Sequence, residues 1–377
     1  MKTILLVADL KKNDAINGGY FQATESIKNS LFYAKKQKQV KSVTLCDFRE
    51  IRNFTDMKFD ICLIVCNPNS FIKSERIFRN SFARCKEVYL HILWETDPLP
   101  LLWDSLWSND FITGFFTPSN FFKNLIEGVS DKPIFYTPYA MSDFKRPVNT
   151  EIKKQEKSFS ILVMGQVTKR KGIEDAITSY VRVFSENENN NSALLLKCFQ
   201  LSKHETPLEE MIIRQTHTNS NTAKNCKIFT ITEELNREEI FDLYSKSSIL
   251  LSPSRGEGFN LPVMEAMSVG LPVIYVDWSN TPEIVNPGKE EDNINIPLDY
   301  YLDEAIDMRH YGYDYGSSYA IPTIRSTMNA LATKYNEWHK DKEKYYKNSS
   351  KNIDTIKKYF SLETVNNYYD DLFNNEG

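Results

Sequence analysis

The sequence has no long apolar run. Its most apolar segments, residues 3–8 and 61–66, have the length of buried strands, whereas a membrane helix needs roughly 20 apolar residues. The first of these runs ends before Asp9, too early for the core of a signal peptide. Nothing in this pattern directs the chain across a membrane, and we expect a cytoplasmic protein.

Clusters of side chains that hold metal ions are also missing from the sequence. The chain has six cysteines, of which Cys62 and Cys66 are close in sequence, but no second pair or nearby histidine completes a zinc site. Closely spaced aspartates at a strand end are not found either, because Asp370 and Asp371 lie in the last predicted helix. We expect free thiols in a reducing compartment, no metal and no cofactor.

Neither sign of charge dominates. Lysine and arginine number 46 and aspartate and glutamate 50, for a formal net charge of −4. This balance argues against a nucleic-acid partner bound through bulk charge. One basic run, Lys35, Lys36, Lys38 and Lys41, has two interpretations: a solvated helix end, or a peripheral contact with an anionic membrane surface.

What the sequence does contain is an alternation of short apolar runs and longer amphipathic ones, typical of parallel βαβ units. A chain of 377 residues is too long for one ordinary core, and the polar segment 144–157 divides the alternation into two series. We predict two α/β domains, 1–147 and 158–350. A helical segment at 351–377 follows, with an apolar face that must dock on another surface.

Both series yield strand predictions. In the first they fall at 3–8, 43–46, 60–66, 87–94, 112–117 and 133–137, with helices such as 23–38 and 119–127 between them. In the second they fall at 159–165, 193–199, 227–231, 249–252 and 272–276.

The segment 248–276, SILLSPSRGEGFNLPVMEAMSVGLPVIYV, predicts strand, tight loop, helix, tight loop and strand. Gly256 and Gly258 let the backbone approach a ligand closely, and Pro262 suits the first turn of a helix. A helix start behind such a loop presents free N–H groups and a positive dipole end, which attract phosphate. Glu257 and Glu265 stand on either side of that start; each alone fits a structural glutamate, but together they favour a functional site.

A second segment, ILVMGQVTKRKGIEDAI at 161–177, opens the C-terminal half. Strand, glycine turn, basic residues and helix entry again form a candidate anion site, with Lys171 just before the helix. A solvated basic turn is the alternative interpretation of Lys169, Arg170 and Lys171.

These segments resemble the retaining glycosyltransferases of family 4, within the glycosyl transferases group 1. The resemblance rests on EGFNLPVME, the two-glutamate signature, on the AM-x-x-G-x-PVI run after it, and on the segment around Lys171. It is strong from about residue 161 to 285 and loose elsewhere. It implies the α/β GT-B fold: two Rossmann-like domains whose parallel sheets face across a cleft, and a C-terminal helix that crosses back to the N-terminal domain.

The resemblance also implies roles for residues of the donor site. Glu257 would face the hydroxyl groups of the donor sugar, Glu265 would bind the nucleotide ribose, and Lys171 would bind the diphosphate. The backbone of residues 258–261 would hold the distal phosphate, and residues near 230–232 would border the base. The further donor-binding candidates are Gly165, Gln166, Arg255, Gly256, Gly258, Phe259, Asn260, Leu261, Thr230 and Ile231.

At one position the chain departs from the family. Many relatives carry arginine directly after the glycine of the second segment, and this chain has Gln166. Either one cation is missing from the donor site, or Arg255 beside Glu257 supplies it.

In the first half the resemblance is thinner. Gly18 and Gly19 resemble the family's glycine loop near the phosphates and the acceptor, with a plain turn as the alternative. The run HILWETDPLP falls at the carboxyl end of a predicted strand, where ligands bind in such sheets. Within it, Glu95 is the candidate for contact with the acceptor or transferred sugar, with Trp94 and Asp97 beside it.

The resemblance implies a hexosyltransferase that moves a sugar from a nucleotide-diphosphate sugar to a glycan, lipid-linked or protein acceptor. It implies a metal-independent, retaining, front-face reaction in which Glu257, Lys171 and Glu95 are the catalytic candidates. Two alternatives stay open: a non-catalytic GT-B partner subunit, or another nucleotide-sugar enzyme such as an epimerase or phosphorylase.

Overall fold

The computed structural model describes residues 1–10, 18–55, 57–142, 156–199, 206–218, 225–289, 294–306 and 316–374. The chain forms two compact units: Met1–Ser142 with Lys358–Gly377, called unit 1, and Asp143–Lys357, called unit 2. The domain limits predicted from the sequence are 147, 158 and 350. Most of the segment 144–157, predicted as the linker, lies outside the described residues.

Unit 1 is built on a six-stranded parallel sheet with the order β2-β1-β3-β4-β5-β6. Its strands are β1 (Thr3–Ala8), β2 (Ser42–Asp47), β3 (Ile61–Val65), β4 (Glu87–His91), β5 (Gly114–Thr117) and β6 (Ile134–Tyr136). Its first helices are α1 (Gly18–Lys36), α2 (Pro68–Phe82), α3 (Asp104–Trp107) and α4 (Asn120–Glu127). Strands β1 and β3 are buried almost throughout, as expected for a parallel sheet covered on both faces.

Local hydrogen bonds fix where these helices begin. At the start of α4 the Ser119 hydroxyl accepts the Phe122 N–H at 3.4 Å, and at the start of α2 the Asn67 side chain accepts the Asn69 N–H at 2.9 Å. Helix α1 begins earlier than predicted, so Gly18 and Gly19 form its first turn. The prediction that they belong to a loop is therefore wrong.

Unit 2 contains a second six-stranded parallel sheet and a two-stranded hairpin. The sheet strands are β7 (Phe159–Gln166), β8 (Ser192–Phe199), β9 (Ile228–Ile231), β10 (Ile249–Ser252), β11 (Val273–Val276) and β12 (Ile296–Leu298). The antiparallel hairpin consists of β13 (Tyr300–Glu304) and β14 (Ser318–Pro322). The helices are α5 (Ile173–Phe184), α6 (Leu208–Thr218), α7 (Arg237–Lys246), α8 (Leu261–Ser268), α9 (Thr281–Val285), α10 (Ile324–Lys340) and α11 (Lys342–Ser349).

The strand order of unit 2 locates its ligand-binding edge. The order is β12-β11-β10-β7-β8-β9. Counted from β9 this is 3-2-1-4-5-6, the order of dinucleotide-binding sheets, in which the order of the strands reverses between the first and fourth strands. Here those strands are β7 and β10, which pair directly. Ligands bind at the carboxyl ends of the strands at such a point, so the loops after β7 and β10 are expected to form the site.

Two further helices, α12 (Lys351–Phe360) and α13 (Leu362–Asn374), end the described chain. Helix α13 belongs to unit 1 and contacts α1 and β6. Val365, Tyr369 and Leu372 are buried on its inner face. The Gln39 amide donates to Asp370 at 2.9 Å just beyond α1. The prediction that the C-terminal helix packs on the N-terminal domain is confirmed.

Every strand predicted from the sequence is present, with ends shifted by up to three residues. The prediction of two Rossmann-like α/β domains is confirmed by the two parallel sheets. Strand β12 and the hairpin β13–β14 are not predicted from the sequence, because they are short or exposed and carry weak apolar patterns.

Candidate functional site

Two loops meet at the carboxyl edge of the unit 2 sheet. One contains the turn Lys169–Lys171, called the basic turn, between β7 and α5. The other, residues 253–260, joins β10 to α8 and is called the β10–α8 loop. The Arg255 N–H donates to the Arg170 carbonyl oxygen at 2.7 Å, so the two loops are joined through their backbones.

Two glycines make room for the basic turn. Gly165 has φ +147°, and a Cβ atom there would lie 3.3 Å from the Lys171 side chain, so the lysine stem passes directly over the glycine. Gly172 has φ +62°, and a Cβ atom there would lie 2.4 Å from the Pro253 carbonyl oxygen. Gly172 therefore permits both the left-handed backbone and the close contact between the loops.

Replacing Gly172 with alanine is expected to lower the free energy of unfolding by about 2 kcal/mol, because the left-handed conformation and the carbonyl contact both oppose a Cβ. Urea denaturation measures this change. Gly19→Ala is the matched control, since a Cβ at Gly19 meets nothing within 4 Å. Equal stability of the two variants would contradict the predicted close approach of the loops.

Hydrogen bonds to side chains of neighbouring segments also hold the β10–α8 loop in place. Asn260, the residue before α8, donates its amide to the Ser252 hydroxyl at 3.0 Å and to the Thr281 hydroxyl at 3.1 Å. The Glu257 N–H donates to the Ser279 hydroxyl at 3.1 Å. Ser279 itself has φ +56°, a conformation that a non-glycine residue seldom adopts. Hydrogen bonds to Ser252 on β10, to Ser279 after β11 and to Thr281 on α9 thus fix the backbone around Glu257.

The Glu257 carboxylate lies between two cations. Lys171 Nζ donates to its Oε1 at 2.5 Å, and Arg170 Nη1 approaches its Oε2 at 3.3 Å. The same Arg170 nitrogen donates to the Gly256 carbonyl oxygen at 2.7 Å. The three side chains are 9–15% exposed, so the group is largely buried yet reachable from solvent.

Burial alone would raise the pKa of Glu257, but Lys171 and Arg170 outweigh it, and the net shift is downward. The carboxylate is therefore ionised at neutral pH. An ionised carboxylate accepts hydrogen bonds from hydroxyl groups, and the two cations beside it suit an anionic ligand.

Arg255 does not join this group. Its guanidinium donates to Asp175 at 2.8 Å and to the Tyr319 hydroxyl at 3.1 Å, on α5 and β14. The idea that Arg255 supplies the cation absent at Gln166 is therefore not supported, because the side chain is committed to this ion pair. Arg170 is the arginine beside Lys171. Arg170 is not among the donor-binding residues predicted from the sequence, since spacing alone does not show which of three consecutive basic side chains turns inward.

Glu265 lies on α8 and is held by two residues of α7. The buried Tyr244 hydroxyl donates to Glu265 Oε2 at 3.2 Å, and Arg237 approaches Oε1 at 3.3 Å. Burial raises the pKa of Glu265, and Arg237 and Tyr244 only partly oppose this shift. Neither Arg237 nor Tyr244 was found from the sequence.

Thr230 and Ile231, the predicted base contacts, end β9 at the edge of the same sheet, two strands from β7. Thr230 is exposed and Ile231 half-buried. The buried Lys197 on the neighbouring strand β8 donates to the Glu233 carbonyl oxygen at 2.9 Å and so holds the backbone just after β9.

The unit 1 candidates lie at the carboxyl edge of their own sheet. Burial is the largest cause of the raised pKa of Tyr20, and the charge of the Glu95 carboxylate is the second. Tyr20 stands in the first turn of α1 with Gly18 and Gly19, so Glu95 lies near that turn. Asp97 is exposed. Trp94 is 4% exposed and packs edge-on against Trp103 at 5.0 Å. Its predicted role at the acceptor is thus replaced by core packing.

The described residues contain no group of three or more histidine, cysteine, aspartate or glutamate side chains that could hold a metal ion. No helix in the described part of the chain is both long and apolar enough to cross a membrane. The Lys35, Lys36, Lys38 and Lys41 side chains are all exposed. Lys35 and Lys36 end α1, and Lys38 and Lys41 follow it, at the amino edge of the unit 1 sheet.

Comparison with known proteins identifies the segment that holds these loops. Residues 145–295 match the family Glycosyl transferases group 1. The chain is 33% identical over 103 residues to a candidate glycosyltransferase, ORF330, of Acidianus filamentous virus 2, which is 27% of this chain and 28% of that protein. It is 28% identical over 118 residues to the serotype-specific mannosyltransferase WbdA of Escherichia coli, 31% of this chain and 13% of that protein. The matches span less than a third of the length of these relatives.

Solved structures resemble the chain over nearly its full length. A glycosyltransferase from Rickettsia africae matches with a TM-score of 0.63 at 13% identity, over 99% of both chains. Anabaena HepE, solved in complex with UDP and glucose, matches with a TM-score of 0.63 at 12% identity, over 97% of this chain and 98% of that one. Sucrose-phosphate synthase from Thermosynechococcus elongatus matches with a TM-score of 0.64 at 14% identity, over 99% of this chain and 98% of that one.

At these identities the likeness shows the fold, and the prediction of the GT-B type is confirmed. The family match covers both loops of the candidate site, from the basic turn to the β10–α8 loop. Residues 145–295 thus match the Glycosyl transferases group 1 family, within a chain that has the GT-B fold.

Proposed function

We propose that the protein is a glycosyltransferase that takes a hexose from a nucleoside-diphosphate sugar. One observation carries the proposal: an ionised carboxylate and two cations, Glu257, Lys171 and Arg170, converge at the reversal point of a dinucleotide-type sheet. Cations there suit a diphosphate, and the carboxylate suits sugar hydroxyls. The family of the segment supports the same activity.

The donor is proposed to lie along the carboxyl edge of the unit 2 sheet. Lys171 binds the diphosphate, helped by the backbone N–H groups at the start of α8 and the positive end of that helix. Glu257 accepts hydrogen bonds from the sugar, Glu265 from the ribose, and the base lies near Thr230 and Ile231. The backbone of Gly165, Gln166, Gly256, Gly258, Phe259, Asn260 and Leu261 lines this path.

The reaction is proposed to retain the anomeric configuration without a covalent intermediate. The bond between the anomeric carbon and the phosphate oxygen breaks, and an acceptor hydroxyl attacks from the same face. Its proton passes to the departing phosphate. Lys171, the helix end and the backbone amides stabilise the charge that grows on that phosphate, without a metal ion. Glu95 is proposed to orient the acceptor or the transferred sugar.

The acceptor is proposed to be a glycan, a lipid-linked sugar or a protein, and the location to be cytoplasmic. A peripheral membrane contact would use the basic run at 35–41, which lies at the amino edge of the unit 1 sheet. Glu95 and the first turn of α1 lie at its carboxyl edge. Such a contact would leave that carboxyl edge away from the lipid.

Binding of the right donor should raise the melting temperature, because a ligand that binds only the folded state stabilises it by mass action. At a hundredfold excess over Kd the gain is about 2.7 kcal/mol, or roughly 5–10 °C for a domain of this size. Thermal shifts should be measured with nucleotides linked to glucose, N-acetylglucosamine and mannose. UDP-linked donors come first, because structural neighbours were solved with UDP.

A donor found in this way should then support transfer, measured by mass spectrometry of mixed glycan acceptors. Release of nucleotide that depends on inorganic phosphate would instead indicate a phosphorylase. Conversion of the donor sugar without release of nucleotide would indicate an epimerase. A chain that binds none of these nucleotides would contradict the proposed function.

A further inference from the structure

The Glu257 carboxylate bridges two cations that come from one short turn. Lys171 and Arg170 are adjacent in sequence, and each reaches a different oxygen of the same carboxylate. A carboxylate held in this way stands where the oxygens of an anionic ligand would be bound, since arginine and lysine bind carboxylate and phosphate through the same donors. Glu257 is thus an internal anion of the candidate site.

The turn is fixed so that both cations keep this direction. The Arg170 carbonyl oxygen accepts from the Arg255 N–H at 2.7 Å, and the Lys171 N–H donates to the Thr168 carbonyl oxygen at 3.1 Å. Arg170 Nη1 is further held by the Gly256 carbonyl oxygen at 2.7 Å. The third basic residue of the turn, Lys169, is exposed and takes no part in these contacts.

The acidic residues nearest the turn have other partners. Asp175, in the first turn of α5, pairs with Arg255 at 2.8 Å. Glu174 accepts from Arg214 at 3.5 Å and from Gln215 at 3.3 Å. Among the described residues, Glu257 is thus the carboxylate that a phosphate must displace from Lys171 and Arg170, while Ser279 holds the Glu257 backbone in place.

We propose that Arg170 and Lys171 form a two-cation seat for the donor diphosphate, and that the Glu257 carboxylate occupies this seat until the diphosphate arrives. The inference rests on the proposed function and makes Arg170 a donor-binding residue. When the diphosphate takes both cations, the carboxylate is released toward the sugar hydroxyls. Glu257 therefore competes with the phosphate for the two cations before the donor binds, and it binds the sugar afterwards.

Isothermal titration with UDP, GDP and inorganic pyrophosphate tests the seat. Arg170→Gln should raise the Kd of the nucleotide that binds the wild type by about tenfold or more, as expected for a lost charge-assisted hydrogen bond to phosphate. Lys169→Gln, in the same turn, should change it less than about threefold, as an exposed charge does. Arg170→Lys keeps the charge, so its Kd should lie between those of Arg170→Gln and Lys169→Gln. This intermediate Kd would show that Arg170→Gln does not lose affinity through a folding defect.

Glu257→Gln should change the Kd in the opposite direction. Removing the internal anion should lower the Kd of pyrophosphate and of the nucleoside diphosphate several-fold, while sugar transfer is lost. Weaker or unchanged binding in Glu257→Gln, or equal affinities of Arg170→Gln and Lys169→Gln, would overturn the inference and leave the proposed function standing. A wild type that binds neither nucleotide nor pyrophosphate would overturn both.

Discussion

Replacing Lys171 with alanine is expected to lower the rate of sugar transfer by about two to three orders of magnitude, the usual effect of removing one preorganised group that stabilises growing charge. Lys171 reaches the Glu257 carboxylate at 2.5 Å and is 15% exposed, so its charge acts in a partly dry environment. There it is worth more than a charge in open water. The measurement is kcat with the donor identified by thermal shift.

The control for Lys171→Ala is Lys169→Ala. It removes the same charge from the same turn at an exposed position, so it should leave kcat within about twofold, as exposed charges contribute little. Loss of activity in both variants would point to the overall charge of the turn rather than to the position of one ammonium group. Full activity of Lys171→Ala would remove Lys171 from the donor site.

The two glutamates on either side of the start of α8 are expected to respond oppositely to neutralisation. The pKa of Glu257 is lowered, so the folded protein favours its charged form, and Glu257→Gln should cost about 1–3 kcal/mol of unfolding free energy at pH 7.5. The pKa of Glu265 is raised by burial, so the folded protein favours its neutral form. Glu265→Gln should therefore leave stability unchanged or raise it, while weakening nucleotide binding.

The pH dependence follows from the same two shifts. The stability that Glu257 contributes is present above the ordinary glutamate pKa of 4.5 and is lost as pH falls through its lowered value. The contribution of Glu265 is present below 4.5 and is lost as pH rises through its raised value. The gain from Glu265→Gln should thus grow from pH 5 to pH 7.5, whereas the loss from Glu257→Gln should shrink toward acid.

Urea denaturation of both variants at several pH values measures these differences, with Glu238→Gln on the exposed side of α7 as the control. A Glu265→Gln variant less stable than Glu257→Gln at pH 7.5 would refute the assignment of opposite roles. It would mean that the ion pair with Arg237 outweighs the burial of the carboxylate.

The fold could be predicted from the sequence because strand periodicity and glycine positions are local properties. The strands at 3–8 and 249–252 agree with the structure to the residue, and the helix start near Leu261 follows from Pro262 and the glycines before it. The order of the strands could not be predicted in this way, because pairing joins distant segments. It is the pairing of β7 with β10 that brings the two predicted loops together.

Side-chain direction accounts for what the sequence did not reveal. Arg255 lies near Glu257 along the chain, and Arg170 lies near it in space. Only packing determines that Arg170 faces Glu257 and that Arg255 faces Asp175. Tyr244 and Ser279 carry no motif, because each acts on a glutamate more than twenty residues away. Trp94 is predicted at the acceptor because it stands beside Glu95 in the sequence, but it is buried and packs against Trp103.

Arg255 connects three parts of unit 2 at one residue. Its N–H joins the basic turn, its carbonyl oxygen accepts from Ala320 on β14, and its guanidinium holds Asp175 and Tyr319. A displacement of the hairpin would consequently be transmitted to the turn that carries Arg170 and Lys171. We therefore expect substitutions that accumulate in that hairpin during evolution to change the proposed donor affinity, even where the residues proposed to touch the nucleotide stay the same.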